Sequence, residues 1–307
     1  MKKILFLLLW PAQLLAQSFS KDEINRWQKQ ANDVTIIRDN WGIPHIYGKT
    51  DADAVFGLMY AQCEDDFQRV EMNYIEKLGR MAEVKGETEL YNDLLIRLVI
   101  DADDAKKDYE KAPGWLKKLC NAFADGVNFY LYKHPAVKSE ILTRFEPWYP
   151  LLWTDGSIGA INTADLTAAD LKDLYGNPND FGHVPMKIGG SFSQTKPEEN
   201  PTGSNGFAFS PKITESGNAI LYINPHVTFY FRPEVHMVSE EGLNVYGAVT
   251  WGQFFVYQGF NEHCGFMHTS SAVDAADSYI EKVLKKGNGW VYEYEGKQKQ
   301  VTTKKIF

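Results

Sequence analysis

Cysteine is scarce in this chain: Cys63, Cys120 and Cys264 are the three among its 307 residues. An odd count excludes a complete disulfide framework, and none of them falls in a Cys-x-x-Cys pair. They are expected as small buried apolar groups, with at most one bridge among them. Positive charge is also short. The formal net charge is -8, spread without a basic stripe, which argues against a nucleic-acid partner. No dense His/Cys tract suggests a metal cluster, and no apolar run beyond the N-terminus is long enough to span a bilayer. The Gly-x-Ser-x-Gly pattern of an ordinary serine hydrolase is missing around Ser204, and no separate Ser-His-Asp set can be placed.

What is present is a globular composition, 44% hydrophobic and 14% aromatic, in a chain long enough for a sizeable core. The N-terminus reads "MKKILFLLLWPAQLLAQ": two lysines, an apolar run from Ile4 to Trp10, then Ala16. That is the shape of a secretory leader, so residues 1–16 are expected to be removed and the protein to be periplasmic or secreted. Cleavage after Ala16 leaves Leu14, rather than a small residue, at the minus-three position. No Cys follows the run, so no lipid anchor is expected there.

Residues 17–175 read as helix-rich after two short strands, "VTIIR" at 34–38 and His45 to Tyr47. Thr50 can cap a long amphipathic helix whose stripe is Val55, Met59, Phe67, Val70 and Tyr74, continuing to about Gly86. Further helical patterns cover Asp101 to Glu110, Pro113 to Lys133 and Thr167 to Leu174. Residues 176–203 are a polar Gly- and Pro-containing spacer. From 204 to 307 short strands dominate, among them Phe207 to Phe209, Ala219 to Asn224, Glu234 to Ser239, Gln253 to Tyr257 and Cys264 to His268.

The switch from spacer to strand falls on Gly203-Ser204-Asn205, within "NPTGSNGFAFSPKITESGNAILYINPH". As four residues this is simply a turn. Cleavage before Ser204 would change its chemistry. The serine would gain a free α-amine of ordinary pKa about 7.7–8.0, tethered beside its own hydroxyl and able to act as its base. A removable spacer then has a purpose.

Two blocks carry a resemblance. "SNGFAFSPKITESGNAILYINPH" with "GLNVYGAVTWGQFFVYQGFNEHCGFMHTSSAVDAADSYIEKV" is similar to the start of the β chain in the penicillin acylase family of N-terminal-nucleophile hydrolases. "VTIIRDNWGIPHIYGKTDADAVFGLMYAQCEDDFQRVEMNYIEKLGRMAEVKG" resembles the opening of that family's α chain. The match covers roughly residues 34–100 and 203–285, and "NPH" with "GFNEH" and "HT" is closest to the acyl-homoserine lactone acylase branch.

The resemblance implies an α+β fold, a four-layer αββα sandwich incomplete at its C-terminus, and hydrolysis of linear amides by a self-cleaving precursor. It implies an α/β heterodimer after cleavage with a second half missing, a small acyl-amide substrate such as an N-acyl-homoserine lactone or a β-lactam side-chain amide, and no membrane anchor. Ser204 matches the nucleophile, Asn205 a residue holding its amine, His226 a histidine beside the new N-terminus, and Ser270 the backbone N–H of half the oxyanion hole. The alternative for His226 is a strand-end histidine that is simply packed. The chemistry needs no cofactor. Asp274 and Asp277 match two carboxylates of a structural Ca²⁺, although solvated aspartates would look the same. His268, Trp41, Pro44 and the Arg38-Asp39 pair are expected to brace the fold, whereas Phe229, Trp251 and Phe254 are candidates to line a pocket. The family's second oxyanion donor, an Asn side chain, and an Arg near it lie later than Phe307. A non-catalytic remnant or binding subunit of the same fold is therefore the alternative reading.

Overall fold

The structure, a computed structural model, describes residues 19–152, 166–176, 203–227, 232–269, 279, 281–303 and 305. The leader and spacer readings fall almost wholly outside these, as do Phe229, Ser270, Asp274 and Asp277.

The fold is α+β. Helix α1 (Lys21–Ala31) precedes strands β1 (Val34–Arg38) and β2 (Pro44–Gly48). Helix α2 (Asp51–Lys77) follows, then the short α3 (Ala82–Lys85), α4 (Leu90–Val99), α5 (Ala102–Lys111), α6 (Gly114–Lys133) and α7 (Ala168–Tyr175). The second part supplies β3 (Gly203–Phe209), β4 (Ile220–His226), β5 (Glu234–Ser239), β6 (Asn244–Ala248), β7 (Gln258–Phe260) and β8 (Gly265–Phe266). A meander of β9 (Val283–Lys286), β10 (Gly289–Tyr294) and β11 (Lys297–Gln300) comes last.

Helix α2 starts where expected because Thr50 and Asp53 form a reciprocal cap: the Asp53 N–H donates to Thr50 Oγ1, and the Thr50 N–H to Asp53 Oδ2. It ends earlier than its pattern suggested. Leu78 closes it, and Gly79 takes a left-handed φ of 61° that stops the turn. The buried faces of α2 and α6 pack together through Phe56, Met59, Phe123 and Val127, with Ile46, Val235 and Met237 of the sheet completing the core. Gly126 permits the close approach, because a Cβ there would sit 2.5 Å from the Phe56 carbonyl oxygen. Burial of each such large apolar side chain contributes about 1.5–3 kcal/mol.

The main sheet runs β1-β2-β5-β6-β7-β8. All pairings are antiparallel except β2 with β5, which run parallel with His45 opposite His236. That parallel ladder is the seam between the first and second parts of the chain. The two parts therefore share one sheet, a stronger union than two separable blocks. Helix α2 packs on the main sheet through β1, β2 and β5, and among the described residues β3 with β4 and β9 to β11 form two further sheets.

Buried polar groups of α2 hold distant backbone. Glu71, with no exposed surface, accepts from the N–H groups of Glu140, Ile141 and Leu142 at 3.0, 3.0 and 2.8 Å. Gln62 donates to the Gln253 carbonyl and accepts from the Gly252 N–H, each at 2.8 Å. Asn73 donates to the Trp251 carbonyl at 2.8 Å and the Tyr74 hydroxyl to that of Gly252 at 2.7 Å.

This grip corrects the strand expected over Gln253 to Tyr257. The segment is a loop, because α2 side chains take up its backbone hydrogen bonds at their start, and the strand begins at Gln258. Three further expectations change. Trp41 is 88% exposed rather than packed, although Pro44 is buried. Cys264 is exposed, whereas Cys63 and Cys120 are buried as expected. Trp251 belongs to the core and Phe254 packs against it, so neither is free to line an open pocket. Arg38 does brace the fold, pairing with Glu64 and Asp65 of α2.

An ion pair joins α1 to the loop after α6. Arg144 hydrogen-bonds Glu23, and this, with the Ser20 amide, lowers the Glu23 pKa from 4.5 to about 2. A depressed carboxylate pKa stabilises the fold above about pH 4.5, and that contribution fades as pH falls towards 2. Glu23→Gln is expected to cost at most about 1 kcal/mol at pH 7, since the pair is solvent-screened. Urea unfolding should show the difference from the parent shrinking as pH falls from about 4.5 and vanishing below about 2. An undiminished difference there would discount the ion pair.

Candidate functional site

Strands β3 and β4 form a hairpin apart from the main sheet, with Gly203 opposite His226, Ser204 opposite Pro225 and Asn205 opposite Asn224. Strand alternation sends Ser204 and Gly206 to one face and Asn205, Phe207 and Phe209 to the other.

The Ser204 face lies on the segment around β8. A Cβ on Gly206 would stand 2.4 Å from Met267 Sδ, and one on Gly265 would stand 2.3 Å from Leu221 Cδ2. Glycine at both places lets the hairpin settle this closely. The Ser204 N–H donates to Thr269 Oγ1 at 2.8 Å, and the Ser204 hydroxyl donates to the Gly203 carbonyl oxygen at 2.7 Å. The serine hydroxyl thus rests beside the carbonyl of the peptide bond that precedes it.

The opposite face carries the other two described candidates. Asn205 and Asn224 each present Nδ2 at 3.2 Å from His226 Nε2. Two amide donors on one ring nitrogen require that nitrogen to be bare, which leaves the proton of a neutral His226 on Nδ1. So the structure brings Asn205 and His226 together but sets both across the hairpin from the Ser204 side chain. Further along this face an open depression of about 390 Å³ is lined by Asn205, Phe207, Phe209, Ile220, Tyr222 and Asn224. Phe207 is 56% exposed there and lies tilted against Tyr222, with ring centroids 5.9 Å apart.

Two partners went unread in the sequence, Thr269 beneath the Ser204 amide and Asn224 beside His226. Asn224 was findable, since it lies two residues from His226 on a strand and must share its face. Thr269 was not, because 65 residues separate it from Ser204. His268 is tied to the Tyr257 hydroxyl at 2.8 Å and to Gln258, which is a bracing role.

A strand-borne serine following glycine, a sheet shared by both parts of the chain and a long capped helix make an α+β architecture, and comparison with known proteins makes it specific. The chain belongs to the penicillin amidase family, whose family model matches residues 33–306. It is 22% identical over 314 residues to acyl-homoserine lactone acylase QuiP of Pseudomonas fluorescens, covering 89% of this chain and 38% of that protein. Against penicillin acylase 2 proenzyme of Pseudomonas sp. it is 24% identical over 301 residues, covering 83% and 38%. The chain therefore spans under two-fifths of the length of these relatives. A thermostable penicillin G acylase from Alcaligenes faecalis superposes with a TM-score of 0.38 at 18% identity, covering 48% of this chain and 85% of that one.

Proposed function

We propose that this chain carries the nucleophile-bearing part of an amide hydrolase, made as a precursor that cuts itself between Gly203 and Ser204. The observation that carries the reading is the Ser204 hydroxyl beside the Gly203 carbonyl, at the start of a strand, in a chain of this family. In the cut, Ser204 Oγ bonds to the Gly203 carbonyl carbon as the peptide C–N bond breaks, and the nitrogen takes the hydroxyl proton. Water then hydrolyses the resulting ester, leaving a Gly203 carboxylate and a free Ser204 α-amine. A relative named as a proenzyme is in keeping with such a precursor.

In turnover the same hydroxyl attacks a substrate amide and passes its proton to the Ser204 amine. The amine returns that proton to the leaving nitrogen, and water releases the acid from the acyl-serine. Thr269 Oγ1, already bonded to the Ser204 nitrogen, would hold that amine after the cut. Asn205 is proposed to steady the strand end together with His226. The backbone N–H of residue 270 is the proposed oxyanion donor, and Asp274 and Asp277 the proposed carboxylates for a structural Ca²⁺. The relatives' names point to N-acyl-homoserine lactones or penicillin-type amides as the substrate class. The leader supports export to the periplasm or beyond, and the two pieces would stay joined as an α/β heterodimer through the seam of β2 with β5.

Intact-mass measurement with N-terminal sequencing of the purified protein tests the reading. A fragment beginning Ser204-Asn205-Gly206 is the expected result. One uncut chain under folding conditions would overturn self-cleavage and bring forward the non-catalytic reading.

A further inference from the structure

At the seam of the main sheet two imidazoles meet on the face that the helices do not cover. His45 of β2 and His236 of β5 are direct cross-strand neighbours, and their Nδ1 atoms stand 3.0 Å apart. Each ring is fixed from behind. His45 Nε2 lies 3.5 Å from Asp39 Oδ2, and His236 Nε2 lies 2.9 Å from Asn244 Oδ1. Asp39 is itself held by the N–H groups of Trp41 and Ile43. A carboxylate and an amide oxygen are acceptors, so each Nε2 takes the proton when both rings are neutral. The two Nδ1 lone pairs then meet at hydrogen-bond distance, and either a further proton, shared as an Nδ1–H···Nδ1 hydrogen bond, or a metal ion set to one side of the N–N line relieves that contact.

We propose that His45 and His236 form a binding site for a borderline divalent transition-metal ion, of the Zn²⁺ or Cu²⁺ class, clamping the first part of the chain to the second. Imidazole–metal bonds of about 2.0–2.1 Å make a 3.0 Å nitrogen separation subtend roughly a right angle, within the range such ions accept. Asp39 and Asn244 supply the outer hydrogen bonds that set ring orientation at metal-bound histidines. Among the described residues no group of three or more His, Cys, Asp or Glu side chains converges as a metal site. Water can reach the remaining positions, because the His45 side chain is 26% exposed. Neighbouring Tyr246 is no ligand. Its hydroxyl donates to Glu234 at 2.7 Å, and burial followed by that carboxylate pushes its pKa up to about 12. The site is independent of the chemistry proposed for Ser204.

Cu²⁺ titration of the untagged protein, followed by electron paramagnetic resonance, tests the proposal. One ion per chain with coupling to two nitrogens is expected, and that ion should be lost in His45→Ala and in His236→Ala. Asp39→Asn, an exposed change, should weaken it about 10–100-fold. A single-nitrogen pattern, or an ion retained in both alanine variants, would overturn it. Should an alanine variant fail to fold, the nitrogen pattern of the parent and the Asp39→Asn affinity still decide. Failure to bind any ion above pH 7 would also refute the site.

Discussion

Ser204→Ala should leave a single chain where the parent gives two. The hydroxyl that the proposal uses to open the Gly203 carbonyl is gone, while the amide still bonds Thr269 Oγ1 and the strand register is untouched. Cleavage is expected to fall from complete to undetectable by intact mass, and amide hydrolysis by about 10³-fold or more. Ser204→Cys separates chemistry from folding. A thiol is an adequate nucleophile, so that variant should still cut, more slowly. If Ser204→Ala is cut at the same bond as the parent, an outside protease is at work and the nucleophile assignment fails. Hydrolysis by the cut enzyme should rise with pH through about 7.7–8.0, as the Ser204 α-amine loses its proton and becomes a base.

Glu71→Ala is expected to produce the largest loss of stability. Three backbone N–H groups, those of Glu140, Ile141 and Leu142, converge on one fully buried carboxylate. Alanine removes every acceptor at once; Leu142 is buried, Ile141 half-buried and Glu140 exposed, so water can reach only part of the set. An unpaired buried group costs about 1–3 kcal/mol, so the loss should reach about 2 kcal/mol or more. Glu71→Gln, which keeps one acceptor oxygen, should fall between parent and alanine. Denaturant unfolding checks both, and an alanine variant within about 0.5 kcal/mol of the parent would show that water replaces the carboxylate there. The loss should also slow any self-cleavage, since the loop that Glu71 holds packs on the same α2 that carries the sheet.

Local pattern alone made much of this fold legible. The Thr50 cap, the 3.6-residue stripe of α2 and the alternation around Phe207 each depend on neighbours a few residues away, and each appears where it was read. Helices α1 and α4 lie outside the helical patterns read from the sequence, although Ser20 and Glu23 form a complete capping box at the start of α1. The strand expected at 253–257 failed for a different reason. Its β-favouring Phe, Val and Tyr residues are real, but Gln62, Asn73 and Tyr74, more than 170 residues earlier, claim the backbone just before and at its start.

By itself the sequence determined the class of elements, the placing of Ser204 at a strand start and, through its two matched blocks, the family. Tertiary structure alone decided which groups meet. The parallel register of β2 with β5 sets His45 against His236 across 191 residues, and the ladder of β3 with β4 puts His226 on the far side of the hairpin from the Ser204 hydroxyl. Periodicity encodes which face a side chain takes along its own strand. It carries no information about which distant strand will lie alongside, because that choice depends on the burial and hydrogen bonding of the whole assembled sheet.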